Sequence, residues 1–358
     1  MSQWSARPWF SVLVIVAFLL PLCPLVNLVF AQSSQGIYQG PLIDAHHHFH
    51  LTGSGHQGTW GSVSDAVAQM NQAGITMIVA FSTMDLNALK YHPELFIPSY
   101  QPITEKEHGF SPDDPRIVAE LRRALEIGFM GLGEMSYRSS SARPPHNMSA
   151  DNPAARQIVD LAAEKGAVIN LHHEIGTKAF GPETIPEFER LLDYNKNVKF
   201  VWAHTGYGRP APVAKLMAAH SNLYADLSTR TPGHPFSSYP GFIADRDGVI
   251  STEWKALFEK FPDRFMFGTD KGADVAFGPE ELAVDYLIKE AAFFRKVLGQ
   301  LSPDLAEKIA HGNIQNVMKV GQPTTLSISL DRASASISSP IRVSWELRTR
   351  EIEPVIVL

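Results

Sequence analysis

The sequence predicts an α/β chain whose main body is a (β/α)8 barrel of the TIM type, followed by a short β-rich C-terminal extension. Three observations carry that expectation. Eight short apolar runs rich in β-branched residues recur from residue 41 to about 320: "LIDAHHHF", "ITMIVAFS", "LFIPSYQP", "FMGLGEMS", "AVINLHHE", "KFVWAHTG", "LYADLSTR" and "FMFGTD". Segments of helical periodicity with readable ends lie between them. The alternation fills roughly 280 residues, the length usual for eight strand–helix units.

The first 31 residues read as a signal peptide to be set aside from the fold. Arg7 is the only charged residue before residue 44, Phe10 to Leu20 is almost wholly apolar, and "LVFAQSS" follows. Val29 and Ala31 occupy the −3 and −1 positions of a signal-peptidase site, so cleavage is expected before Gln32, leaving 32–40 as a linker. The alternative is an uncleaved anchor: Trp9 to Ala31 is long enough to span a bilayer, although Pro21, Pro24 and Asn27 interrupt it. Either reading exports the body of the chain, to the periplasm or the medium, and only a retained segment implies a membrane. Cys23, the only cysteine, lies in this segment. Any metal in the body must then be held by histidines and carboxylates.

Within the barrel region, 41–321, "SVSDAVAQMNQAG" reads as a helix stopped at Gly74. In "DDPRIVAELRRALEIG", Asp114 caps and Pro115 fits the first turn; Ile117, Leu121 and Leu125 share a face, and Gly128 ends the helix. "DNPAARQIVDLAAEKG" repeats the design with Asn152, Pro153, Ile158, Leu161 and Gly166. "GPEELAVDYLIKEAAFFRKVLG" and "SPDLAEKIAHGN" follow the last strand. Such alternation implies parallel strands joined by crossover helices. An open doubly wound sheet is the rival, but no strand is followed by a dinucleotide fingerprint; "TGSGHQG" lacks its spacing. The tail, 322–358, alternates polar and apolar residues, with Pro340 between two strand-like runs. It reads as two or three strands, too few to bury a core alone, and is expected to pack on the barrel or on a second subunit of a homo-oligomer.

The composition, 44% hydrophobic and 19% charged over 358 residues, suits one large domain with an appendage. The net charge is −6 and no basic stripe is present, which argues against a nucleic-acid partner. A small-molecule substrate is the expected partner.

The chemistry begins at "IDAHHHFH". Period-two alternation puts Asp44, His46, His48 and His50 on one face of the first strand, with His47 and Phe49 on the other. His46 and His48 can therefore reach one metal from inside the barrel mouth, while His47 is expected to face the helices as a packed histidine. Other strands end with groups of the same type: Glu134 on the fourth, His172 and His173 on the fifth, His204 on the sixth and Asp270 on the eighth. Active sites of such barrels form at the C-terminal strand ends. Imidazoles and carboxylates suit a divalent metal, zinc first, with manganese or iron also compatible. Arg138, Arg209, Arg230 and Lys271 lie just past strand ends and are candidates to hold an anionic substrate group.

These motifs and their order along the chain resemble the amidohydrolase superfamily of metal-dependent barrel enzymes. "IDAHHHF", "VWAHTG", "FMFGTD" and "IAHGNIQNVM" look most like its amidohydrolase-related (amidohydrolase 2) branch, over roughly residues 41–320. The resemblance implies that His46, His48 and His172 are metal ligands, with His173 pointing away. It implies that Asp270 binds the metal or its water and carries the proton. His204 is implied to be a ligand of a second metal or a hydrogen-bonding catalyst. One departure matters. Binuclear relatives often bridge two ions with a carboxylated lysine on the fourth strand, whereas this chain has no lysine between Phe129 and Arg138 and offers Glu134. Glu134 then bridges two ions, orients a ligand from behind, or satisfies nearby backbone N–H groups. The expected activity is hydrolysis of a small ester, lactone or amide by a metal-activated water. The branch also contains decarboxylases of unsaturated or aromatic acids, a second reading of the same residues. A catalytically inactive barrel kept as a binding module is the third.

Overall fold

Eight parallel strands, taken in chain order around the sheet, form the frame of the computed structural model. It describes residues 36–51, 60–82, 86–102, 114, 116–140, 146–232, 241–272, 285–320, 326–330 and 343–347. The strands are β1 (Leu42–His48), β2 (Ile75–Ser82), β3 (Phe96–Tyr100), β4 (Gly131–Ser139), β5 (Val168–His173), β6 (Phe200–Trp202), β7 (Leu223–Asp226) and β8 (Phe265–Met266). Each pairs in parallel with the next. The segment after β8 then closes the ring on β1. Ala45 N donates to Phe267 O at 2.9 Å, Asp270 N to His46 O at 2.8 Å and His48 N to Lys271 O at 2.9 Å. All eight expected strands are present, and the barrel rather than the open sheet is the result.

The crossover helices end where the sequence says they should. Helix α1 (Val63–Ala73) starts at Ser62, whose hydroxyl accepts from Asp65 N, and stops at Gly74 in the left-handed region, φ 66°. After α2 (Leu86–Lys90), α3 (Arg116–Ile127) follows Asp114, whose carboxylate accepts from Arg116 N at 2.9 Å. Helix α4 (Pro153–Lys165) is capped by Asn152 and stopped at Gly166. Helices α5 (Ile185–Tyr194), α6 (Pro210–Ala219), α7 (Thr252–Lys260) and α8 (Tyr286–Leu298) complete the set around the barrel. Two core layers result. Ile43, Ala45, Val79, Ile97, Val201 and Met266 fill the barrel interior, closed below by Ile314, Val317 and Met318 from the last helix, α9 (Asn313–Met318). Leu121, Leu161, Phe188, Leu216, Phe258 and Phe294 pack the helices onto the outer strand faces. The polar strand ends are thereby left at the opposite mouth.

One expectation about β1 is corrected. Asp44 does not share a face with His46 and His48. The pairing of β1 with β2 is irregular between Asp44 and His47. Ile43 and Ala45 point into the barrel core below that irregularity, and His46 and His48 into the mouth above it. A strand bulge shifts the alternation by one residue, so Asp44 falls beside His47, with 3.0 Å between Asp44 Oδ2 and His47 Nδ1.

In the tail, Leu326–Leu330 and Val343–Leu347 pair antiparallel, Leu326 opposite Leu347. The rest of the tail and the N-terminal segment with its expected cleavage site lie outside the described residues. Among the described residues no helix is long and apolar enough to cross a membrane.

Candidate metal centre

The fold brings together all six candidate ligands, in two sets. On one side, His46 Nε2 and His48 Nε2 from β1 each lie 3.2 Å from Asp270 Oδ1, just past β8. On the other, His172 Nδ1 from β5 and His204 Nε2 from the turn after β6 lie 2.7 and 3.3 Å from Glu134 Oε1. Glu134, on β4, stands between the sets: its Oε2 is 3.7 Å from His48 Nε2 and its Oε1 3.8 Å from His46 Nε2. His204 Nε2 is also 3.9 Å from Asp270 Oδ2.

The outward-facing ring nitrogens decide whether these residues suit a metal. His46 Nδ1 lies 3.0 Å from Asp226 Oδ2, and His48 Nδ1 2.9 Å from Gln101 Oε1. His204 Nδ1 lies 2.8 Å from Ser228 Oγ, whose own proton goes to Asp226 Oδ1 at 2.5 Å. His172 is turned over: its Nε2 lies 3.2 Å from Glu174 Oε1 and its Nδ1 faces inward. Every outer partner is an acceptor, so each outer nitrogen carries a proton and each inner nitrogen presents a lone pair in the neutral ring. Two inward atoms, His46 Nε2 and Asp270 Oδ1, are buried 3.2 Å apart without a well-formed hydrogen bond to each other or to another group. Orphaned polar atoms of this kind are costly. Four imidazoles, two carboxylates and no thiol match zinc, manganese or iron.

The charges agree. Burial opposes ionisation of Glu134, yet His172 and His46 hold its carboxyl well below the usual carboxylate range. Asp270 is lowered likewise, burial being outweighed by His204 and His46. Burial alone would lower the histidines. Instead Glu134 and Glu174 push His172 up to about 10, and Asp226, Asp270 and Glu134 raise His46. Without a metal the cluster balances its carboxylates with ring protons, and a dication must displace those protons to bind.

Four supporting residues were not singled out from the sequence: Gln101, Glu174, Asp226 and Ser228. Glu174 is buried and accepts from Ser140 N at 2.8 Å and from the Ser140 and Thr177 hydroxyls at 2.7 Å each, so its grip on His172 is fixed from three sides. Asp226 had a trace in the sequence, an acid closing the seventh strand as His204 closes the sixth.

His204 owes its aim to unusual backbone. His204, Thr205, Gly206 and Tyr207 all lie at φ 53–55°. A left-handed turn costs non-glycine residues roughly 1–2 kcal/mol each, offset here by fixed contacts. Thr205 Oγ1 donates to Asp226 O at 2.8 Å, Ile175 N to Gly206 O at 2.9 Å, and Tyr207 stacks on the His204 ring. At Gly206 a Cβ would sit 2.2 Å from the Trp202 ring and 2.6 Å from His173 O. Trp202 is fully buried, its Nε1 donating to His173 O. Gly206→Ala is therefore expected to destabilise the fold by about 2 kcal/mol or more, read as a fall in the denaturant midpoint. An unchanged midpoint would mean that the turn is not built as described.

The remaining candidates lie off the centre. His47 stacks on Trp60 (5.8 Å, 10°) with its Nδ1 on Asp44. His173 stacks on Phe188, and its Nε2 donates to Thr184 O at 3.1 Å. Arg138 holds Glu187 of α5 through two nitrogens, at 2.6 and 2.8 Å, so its charge is already matched. Arg230 is 1% exposed, donating to Gly208 O and Gly241 O with its guanidinium over Trp254. Lys271, also 1% exposed, lies over Trp60 and Tyr286. Arg209 is exposed at the start of α6.

A family model described as amidohydrolase matches residues 106–317. Among solved structures, the chain is similar to an uncharacterised TIM-barrel protein from Bordetella bronchiseptica, at 17% identity and a TM-score of 0.53, covering 78% of this chain and 99% of that one. It is similar to a dihydroxybenzoic acid decarboxylase from a Polaromonas species, solved with bound manganese and the inhibitor 2-nitroresorcinol (15% identity, TM-score 0.51, 79% and 98% covered). It is also similar to a probable 2-pyrone-4,6-dicarboxylic acid hydrolase from Acinetobacter baumannii with citric acid bound (14%, 0.52, 78% and 100%). At such identities the likeness is one of fold. No curated protein matches the chain.

Proposed function

The chain belongs to the amidohydrolase family, and from that premise we propose that it is a metal-dependent hydrolase holding two divalent ions, zinc first, and acting on a small ester, lactone or amide. The observation that carries this is the position of Glu134 between the set His46, His48, Asp270 and the set His172, His204. A carboxylate so placed is suited to bridge two ions, and paired ions suit displacement by water. When bound, such ions supply Lewis acidity and lower the pKa of water to about 7.

The chain's own residues supply the rest. Asp270, ionised and facing the His46 and His48 rings with Oδ1, accepts the proton of the attacking water and returns it to the leaving group. His204 faces the same space with Nε2, its ring held by Ser228 and Tyr207, and would offer that nitrogen's lone pair to an ion. Burial of the His46, His204 and Asp270 side chains strengthens these interactions.

The second reading, decarboxylation of an unsaturated or aromatic acid, uses the same groups, with Asp270 delivering a proton to carbon. Its support is the manganese-bound decarboxylase among the fold neighbours. Six converging ligands weigh against an inactive barrel. A screen of metal-reconstituted protein against lactones, esters, amides and aromatic acids finds the substrate, and turnover in oxygen-18 water then separates the reactions. Hydrolysis puts the label in the product acid; release of CO2 with an unlabelled carbon skeleton rejects it.

Export is part of the proposal, supported by the single early Arg7, the apolar run and "VFA". The mature protein is expected to begin at Gln32 on N-terminal sequencing. An intact Met1 on membrane-bound protein would identify an anchor instead.

A further inference from the structure

Asp226, at the end of β7, is fully buried and uses both carboxylate oxygens. Oδ2 accepts from His46 Nδ1 at 3.0 Å. Oδ1 accepts from His204 N at 3.0 Å, Ser228 N at 3.2 Å and Ser228 Oγ at 2.5 Å. Three donors converge on Oδ1, an arrangement that favours the carboxylate over the neutral acid. An ionised carboxylate can only accept, so His46 must carry its proton on Nδ1. Ser228 has a single hydroxyl proton. That proton is committed to Asp226, so Ser228 can only accept from His204 Nδ1 at 2.8 Å. The direction of each bond follows from the one before it, and all of them start at Asp226.

His46 and His204 belong to different ligand sets. Resting on the metal reading above, we propose that Asp226 is a positioning residue shared by both sets, fixing the ring proton of His46 directly and of His204 through Ser228, so that both rings offer Nε2 to metal. Asp226 also ties β1, β6 and β7 together at their ends, and a purely structural peg would do no more than that. The two roles part at Ser228. Removing its hydroxyl leaves the backbone contacts of Asp226 and its bond to His46 in place, and cuts the link that runs from Oδ1 through Ser228 Oγ to the His204 ring. In Asp226→Asn, by contrast, the amide carbonyl can satisfy the backbone N–H groups while the NH2 faces His46 Nδ1. His46 must then accept there, carry its proton on Nε2 and lose its lone pair for metal.

The test is cobalt(II) titration of metal-stripped wild type, Ser228→Ala and Asp226→Asn, followed by visible absorption and elemental analysis, with circular dichroism to verify folding. In Ser228→Ala, one of the two equivalents is expected to weaken by about 10–100-fold with an altered cobalt spectrum, while the other keeps its affinity. In Asp226→Asn both are expected to weaken. If Asp226→Asn does not fold, the split within Ser228→Ala decides alone. Folded variants that take up cobalt as the wild type does, or a Ser228→Ala that weakens both equivalents alike, overturn the proposal and leave the metal reading standing. A wild type that takes up no cobalt overturns both.

Discussion

Replacing Asp270 with asparagine is expected to lower kcat/KM by about 10²–10⁴, the usual contribution of a positioned acid–base group, while the fold survives. The carboxylate sits past β8 with its backbone at φ 60°, and its N–H is tied to His46 O. The substitution keeps the shape and a carbonyl oxygen, and removes the property that the proton step needs from Asp270, an ionised oxygen able to take a proton. Burial pushes its pKa up, but His204 and His46 outweigh burial, so the group is ionised at neutral pH. The loss is expected mainly in kcat, with KM little changed, because the proton moves in the transition state. Metal content is measured in the same samples, since Asp270 also faces His46 and His48 at 3.2 Å. A variant with full metal and wild-type kcat/KM would remove Asp270 from the reaction.

The second large effect is expected from His46→Ala combined with His48→Ala. The pair is expected to lose the ion of its own set, because Asp270 and Glu134 are left as its only proposed ligands and two carboxylates hold it too weakly. A second consequence appears without any metal. His46 is the only described donor to Asp226 Oδ2, and that carboxylate is fully buried. Removing one partner of a buried charged pair costs about 3–5 kcal/mol, so the metal-free variant should melt well below the metal-free wild type. Elemental analysis reads the first effect and thermal melting the second. Equal metal content in variant and wild type would sink the ligand assignment.

Much of this was legible in the sequence for identifiable reasons. Strands and helix ends are local: period two, a capping Asn152 or Ser62 and a stopping Gly166 or Gly74 act within a few residues. The candidate ligands were legible because ligand-type residues close five of the strands. What was not legible depends on partners far along the chain. The phase shift in β1 arises where Asp44 turns to Thr269, 225 residues later, whose N–H and hydroxyl both donate to it. Asp226 reads as one acid in a short strand until His46 is folded against it. Arg138 looked available for an anion because Glu187, which holds it, lies 49 residues away on α5. Little beyond Gly206 hints at the left-handed turn that aims His204, because Thr205 and Tyr207 are types that ordinarily avoid that region.

The most direct test of the central claim is the metal content of wild-type protein and Glu134→Gln, purified metal-free, reloaded with zinc to saturation and freed of excess. A bridging Glu134 predicts close to two equivalents in the wild type and close to one in the variant, whose neutral amide cannot serve both ions. A wild type that never exceeds one equivalent, or a Glu134→Gln that retains two, would contradict it.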